Sequence, residues 1–101
     1  MRNLTPIEYE IFSKLLLKAG ITTPIDDLLV EPMDDGEMGS LKIGENHHLK
    51  KFGRMASDYL FKDTDGVDVV ASLYLDSEDN LYELDVFKSN YEKTLLLNAN
   101  T

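Results

Sequence analysis

The chain has 101 residues, of which 43% are hydrophobic, and this size predicts one domain over residues 1–101 with a modest core. Its formal net charge of −9 disfavours nucleic acid and anionic membranes as partners, because both repel an acidic surface. It has no cysteine, which excludes a disulfide framework, and no apolar run of about 18 residues, so a cytoplasmic protein is expected.

The first predicted element is an amphipathic helix near the amino terminus. Thr5, Pro6 and Glu8 form the pattern of a capping box with proline at the first helical position, and Gly20 supplies a left-handed stop. The apolar residues between them repeat at helical spacing, namely Ile7, Ile11, Phe12, Leu15, Leu16 and Ala19. We therefore expect this helix to cover one face of a sheet.

Two short strands, residues 28–33 and 38–43, are predicted to form a hairpin around the turn Asp34-Asp35-Gly36. Pro32 has no backbone N–H, which indicates an edge position for the first strand. The polar segment 44–53, GENHHLKKFG, is expected to be an exposed loop.

A three-stranded antiparallel meander is predicted between residues 54 and 88, with acidic turns at 63–66 and 77–80. The middle strand alternates with period two and is expected to bury Val67, Val69, Ala71, Leu73 and Leu75. In the last strand, Tyr82, Leu84 and Val86 are expected to face inward, and Leu81, Glu83, Asp85 and Phe87 outward. The first strand places Met55, Tyr59 and Phe61 on one side, in a less decisive pattern.

The predicted fold class is α+β, with the amino-terminal helix packed on a mostly antiparallel sheet of about five strands, built from two hairpins and a meander. After the meander, Leu95-Leu96-Leu97 fits a last short strand, a docked turn or an exposed apolar segment.

Two segments resemble metal sites without completing them. Asp63-Thr64-Asp65-Gly66 is similar to the start of a calcium loop, but the third oxygen ligand and the glutamate at the twelfth position are missing. His47 and His48 with Glu45 lack the second ligand cluster of a zinc site. A hairpin turn and a solvated loop are favoured, and neither metal nor cofactor is predicted.

Enzyme chemistry has one candidate, the pair of carboxylates Glu83 and Asp85 on one strand face. The chain has no glycine-rich phosphate loop, no nucleophile elbow and no cysteine, so a non-enzymatic protein is predicted. A small hydrolase-like enzyme remains the alternative.

Negative charge is concentrated in the meander, where residues 58–85 carry nine acidic residues and one basic residue, Lys62. This charge either serves solubility alone or attracts a basic protein partner. We favour a protein-binding module, whose predicted contact residues are Asp58, Asp68, Tyr74, Glu83, Asp85 and Phe87. A homodimer remains open, with a structural subunit completed by the apolar tail as a further alternative.

Several short motifs resemble a family of small bacterial proteins known only as a domain of unknown function. They are Val30-Glu31-Pro32-Met33-Asp34, Asp35-Gly36-Glu37-Met38-Gly39-Ser40-Leu41, Asp65-Gly66-Val67 and Tyr82-Glu83-Leu84-Asp85-Val86-Phe87-Lys88. The family pattern has a glycine where Glu37 stands and a tryptophan where Phe87 stands. The resemblance implies a small stand-alone bacterial domain and assigns no catalytic residue. Small acidic proteins of this kind are often immunity factors that neutralise toxins, and this analogy rests on size and charge alone.

Overall fold

Two helices and five strands make up residues 1–98, the part of the chain that the computed structural model describes. The elements, in chain order, are α1 Pro6–Ala19, β1 Val30–Pro32, β2 Leu41–Ile43, β3 Phe52–Lys62, β4 Asp68–Asp76, β5 Leu81–Lys88 and α2 Leu95–Asn98. A single 3-10 turn, His47–Leu49, lies between β2 and β3, inside the segment that was expected to be a loop.

Helix α1 begins and ends as its sequence predicts. The Thr5 hydroxyl accepts a hydrogen bond from the Glu8 N–H, and the Glu8 carboxylate accepts one from the Thr5 N–H at 2.9 Å. Gly20 ends the helix with a φ of 70°, a left-handed conformation. Arg2 also binds Glu8 through both guanidinium nitrogens, at 2.7 and 2.9 Å, which ties the amino-terminal segment to the first turn.

The five strands form one antiparallel sheet in the order β1-β2-β5-β4-β3. The hairpin β1-β2 and the meander β3-β4-β5 were both predicted, and the predicted α+β fold is confirmed. The two units join where β2 pairs with β5, with Leu41 opposite Leu84. This pairing joins the hairpin and the meander into a single sheet.

One face of the sheet, here called the inner face, is buried under α1. Val69, Ala71 and Leu73 of β4 have no exposed surface, and neither do Phe12 and Leu15 of α1. Leu84 and Val86 of β5 are buried on the same face as predicted. Burial of this apolar surface is the main term that stabilises the fold.

Bulges shift some residues away from the predicted alternation. In the β4-β5 pair the register changes between Tyr74 and Leu75 of β4, so Leu81 lies opposite Leu75 and is buried. The predictions that Leu81 faces outward and that Tyr82 faces inward were therefore wrong, since Tyr82 is only half-buried and lies outside the core. In β3 the register changes near Arg54 and again just after Met55. Met55 is consequently exposed, at 48%, and does not share the inner face with Tyr59 and Phe61.

The carboxy-terminal segment is a docked helical turn, one of the three alternatives left open by the sequence. The N–H groups of Leu95 and Leu96 each donate to the Asp63 carboxylate at 2.8 Å. An apolar tail that completes the sheet of a dimer needs extended backbone, whereas Leu95–Asn98 is helical. The end of that predicted tail, residues 99–101, lies outside the described residues.

A cavity of about 270 Å³ is lined mainly by the β1-β2 hairpin, together with Arg2, Glu8, Leu97 and Asn98. Within residues 1–98, no helix has the length and apolar character needed to cross a membrane.

Candidate functional site

The candidate site is the sheet face opposite α1, here called the outer face. Because side chains alternate along a strand, the residues that flank the buried ones on β4 and β5 point to this side. Strand pairing then arranges the outer face into rows that run across β3, β4 and β5. No helix among residues 1–98 covers these rows, since α1 packs on the inner face and α2 packs beside α1.

The central row is apolar and consists of Leu60, Val70 and Phe87 on three neighbouring strands. Leu60 is 66% exposed and Phe87 37% exposed. Tyr91, just after β5, extends the row because its ring meets that of Phe87 edge to face, with 5.1 Å between centroids. Exposed apolar side chains in a contiguous row are unusual on a surface that contacts only water.

Acidic and polar rows lie on both sides of the apolar row. On one side, Lys62 of β3 pairs with Asp68 of β4 at 2.6 Å. On the other side, Asp58, Ser72 and Asp85 lie opposite one another across the three strands. The outer face therefore has an apolar centre between charged margins.

A further row contains Met55, Tyr74 and Glu83, with Lys42 of β2 opposite Glu83. The ring of Phe52 lies against Tyr74 with 5.5 Å between centroids. All the residues predicted to contact a partner thus lie in these rows, and the structure brings them onto one surface. They are Asp58, Asp68, Tyr74, Glu83, Asp85 and Phe87.

The acidic residues of the outer face differ in whether a nearby positive group balances their negative charge. Asp68 is paired with Lys62, and Lys18 of α1 approaches the Asp58 carboxylate at 3.7 Å. Glu83 lies 2.6 Å from the imidazole of His47. Asp85 accepts a hydrogen bond from the Ser40 hydroxyl at 3.1 Å, which is a neutral partner. Asp85 is therefore the acid of this face with the most charge available to a ligand.

His47 is a part of this surface that the sequence did not predict. Its ring stacks on Tyr82, with 4.6 Å between centroids, and its Nε2 contacts Glu83. The histidine was expected in a solvated loop, but its side chain is only 17% exposed. The bulge in the β4-β5 pair turns Tyr82 toward His47, and no sequence pattern marks such a bulge.

In the turn 63–66, which resembles the start of a calcium loop, the two aspartates bind the ammonium group of Lys88. Lys88 is fully buried and its ammonium lies 2.8 Å from Asp63 and 2.7 Å from Asp65. Among residues 1–98, no group of three or more acidic or histidine side chains is arranged to hold a metal ion.

Hydrogen bonds hold the pKa of Asp63 well below its usual value. Burial of the carboxylate raises its pKa, but Lys88 and the N–H groups of Leu95, Leu96 and Thr64 donate to it and outweigh burial. The hydrogen bond from Lys88 likewise lowers the pKa of Asp65. These groups join α2 to the β3-β4 turn and serve the fold.

A cavity of about 420 Å³ lies away from the outer-face rows. Its lining mixes both signs of charge, with Lys50 and Lys51 beside Asp76 and Glu78. The cavity has no excess of one charge that would select a ligand, and the open sheet face remains the stronger candidate.

These features define a small α+β domain in which a helix covers one face of an antiparallel sheet and the other face stays open. The chain belongs to the family described as Domain of unknown function (DUF6984), whose sequence model matches residues 1–98. Neither a curated protein nor a solved structure matches the chain. The family assignment confirms the resemblance to a family of unknown function and brings no activity with it.

Proposed function

We propose that this chain is a protein-binding module of the bacterial cytoplasm and that its outer face docks a basic protein. The observation that carries the proposal is the open apolar row of Leu60, Val70 and Phe87 between two charged rows. Protein interfaces commonly have apolar and aromatic anchors at the centre and polar groups at the rim. The outer face has this arrangement over three strands.

Charge complementarity specifies the chemistry of the partner. The chain carries a net charge of −9, which attracts a positive partner from a distance and increases the association rate. At contact, the Asp58 and Asp85 row accepts lysine or arginine side chains, and the apolar row receives the centre of the partner's surface. A toxin with a basic cleft that this protein neutralises is the specific form of the proposal.

The proposal is tested by capture of binding proteins on the immobilised full chain and on an Asp85→Lys variant. Asp85 is exposed and its side chain accepts from the Ser40 hydroxyl, so the substitution changes the charge of the outer face with little effect on the core. We expect a basic protein that binds the native chain, is released at about 0.5 M salt, where charges are screened within ~4 Å, and is lost on Asp85→Lys.

The matched control is Glu78→Lys, which makes the same charge change at an exposed site in the turn between β4 and β5. A specific partner retains its binding to this control. Equal loss on Glu78→Lys and Asp85→Lys would show a response to net charge alone. Full binding to Asp85→Lys would place the partner's site elsewhere, and either result contradicts the proposal.

The second candidate is a small hydrolase-like enzyme that uses Glu83 and Asp85. The contact of 2.6 Å between Glu83 and His47 favours it, since a carboxylate beside an imidazole is an arrangement used in acid and base catalysis. Turnover of an ester or glycoside panel that Glu83→Gln abolishes would support the enzyme over the binding module.

A further inference from the structure

Strand β3 is the long edge of the sheet, and half of its backbone hydrogen-bonding groups face away from β4. At the end of the β3-β4 hairpin, the Asp63 N–H donates to the Val67 carbonyl at 2.9 Å. Backbone groups alternate sides along a strand, so Tyr59 and Phe61 also bond β4. The N–H and C=O groups of Asp58, Leu60 and Lys62 consequently point outward from the edge.

Only one of these outward groups has a partner in another element of residues 1–98. The Lys18 ammonium of α1 donates to the Asp58 carbonyl. The backbone groups of Leu60 and Lys62 receive no such contact within that range. An edge of this kind is a template for another strand.

The opposite edge of the sheet is closed. Strand β1 has three residues and ends at Pro32, which has no N–H to donate. Arg2 also bonds both backbone groups of Val30, at 2.9 and 2.7 Å, and so covers the strand. The two edges differ in length and in protection, and β3 is the edge that is ready to pair.

The side chains of β3 are complementary to a second copy of the same strand. An antiparallel pair with its two-fold axis at Leu60 places Asp58 opposite Lys62 of the second copy, and Lys62 opposite Asp58 of the second copy. Leu60 then meets its own counterpart on the outer face, where it is 66% exposed. Opposite charges directly across a pair stabilise a sheet.

The other two-fold registers centred between Asp58 and Lys62 lack these attractive pairs, since an axis at Tyr59 or Phe61 sets Leu60 opposite a charged side chain. An axis at Asp58 would set two aspartates opposite each other, and an axis at Lys62 would set two lysines opposite each other. Like charges directly across a strand pair are destabilising. The Leu60 register is therefore favoured by the sequence of β3, because it is the one that sets Asp58 opposite Lys62.

From this complementarity we infer that the chain forms a symmetric dimer in which β3 pairs with β3 of a second copy about Leu60. The two sheets become one continuous sheet, and Lys18 releases the Asp58 carbonyl to the new strand. The dimer carries two outer faces side by side on the same side of the sheet. Leu60 and Asp58 also belong to the proposed partner surface, but the dimer is measured on the chain alone, so the failure of one proposal is distinguishable from the failure of the other.

Sedimentation of the full chain over a range of concentrations tests the inference, together with the single variants Asp58→Lys and Lys62→Glu. Each variant replaces both attractive cross-strand pairs by repulsive ones, and we expect its dimer dissociation constant to rise about tenfold or more. Asp85→Lys makes the same charge change two strands from the edge, and its dissociation constant should stay at the native value.

Mixing the two single variants gives the decisive result. In a mixed dimer the lysine introduced at position 58 of one chain faces the glutamate introduced at position 62 of the other, and the native Lys62 and Asp58 face each other. We expect the mixture to form a dimer of native affinity while each variant alone stays monomeric. A monomeric native chain, a native dimer that neither variant weakens, or a mixture that stays monomeric would each overturn the inference.

Hydrogen exchange of the native chain supplies a test that does not depend on the folding of a variant. The amides of Leu60 and Lys62 face outward, so they exchange rapidly in a monomer and slowly in the dimer. We expect their protection to increase with chain concentration, while the amide of Phe61, which bonds β4, stays protected throughout. Rapid exchange at Leu60 under conditions where the chain is dimeric would place the dimer contact elsewhere.

Discussion

Lys88 is the residue whose surroundings depart most from what a lysine usually has. Its side chain is buried, and its ammonium binds two aspartates of the β3-β4 turn and the Lys93 carbonyl. A buried charge is tolerated only when its partners replace the water that it loses. Asp63 serves this purpose and also caps α2, so one carboxylate joins the meander to the end of the described chain.

Replacing Asp63 by alanine should lower the free energy of unfolding by about 3 kcal/mol, because it leaves Lys88 with a single carboxylate and removes the cap of α2. Urea denaturation measures the loss. The matched control is Asp68→Ala, which breaks the exposed pair with Lys62 and should cost less than about 1 kcal/mol. Equal losses for the two variants would contradict the structural role of Asp63.

The sequence contains a signal for the buried lysine. Lys88 has the same parity as Leu84 and Val86, which predicts an inward side chain for it as well. An inward lysine requires acidic partners, and the nearer of the two that it has, Asp65, lies 23 residues upstream. Local patterns do not specify which of the many aspartates reaches it.

The backbone of Glu37 is a second feature that is unusual for its residue type. Glu37 takes a left-handed φ of 63°, and the family pattern that its motif resembles has glycine at this position.

At the scale of elements, α1 and the three long strands follow their sequence patterns closely. The capping box, the proline and the final glycine set the bounds of α1, and its apolar stripe sets the face that packs on the sheet. The bulges in the meander are the exception, because they change which side chains are buried without a residue type that marks them. They explain why Met55 and Leu81 were assigned to the wrong faces.

Two leucines of α1 offer a sharp test of this packing. Leu15 is fully buried and Leu17, two residues further along, is 83% exposed. Leu15→Ala should lower the free energy of unfolding by about 2 to 5 kcal/mol, because it leaves a cavity in the core. Leu17→Ala should change it by less than about 0.5 kcal/mol. Thermal or denaturant unfolding of both variants checks the prediction, and a large loss for Leu17→Ala would require a different helix orientation.

At the scale of the whole molecule, the order of strands is the feature that the sequence predicts least. A hairpin and a meander follow from turns and alternation, whereas the pairing of β2 with β5 joins strands that are far apart in the chain. That pairing depends on the apolar faces of both units meeting under α1. The meander by itself brings the predicted contact residues onto one surface, and the pairing of β2 with β5 adds Lys42 opposite Glu83.

The loss of stability of the fold at acidic pH should depend on the Asp63 carboxylate. Its pKa is lowered in the folded chain, so the unfolded chain takes up the proton first as the pH falls. This contribution to stability is complete above about pH 4, the ordinary aspartate range, and is lost progressively below it. Denaturation curves between neutral and acidic pH should therefore show a steeper loss for the native chain than for Asp63→Ala. Parallel losses would contradict the prediction.

Helix α2 packs beside α1, on the side of the sheet away from the outer face. A tether attached to α2 would therefore start behind the sheet, on the side away from Phe87 and Asp85. Beads or sensor surfaces coupled in this way would hold every molecule with the same orientation. The rows on the far side would remain accessible to whatever is passed over them.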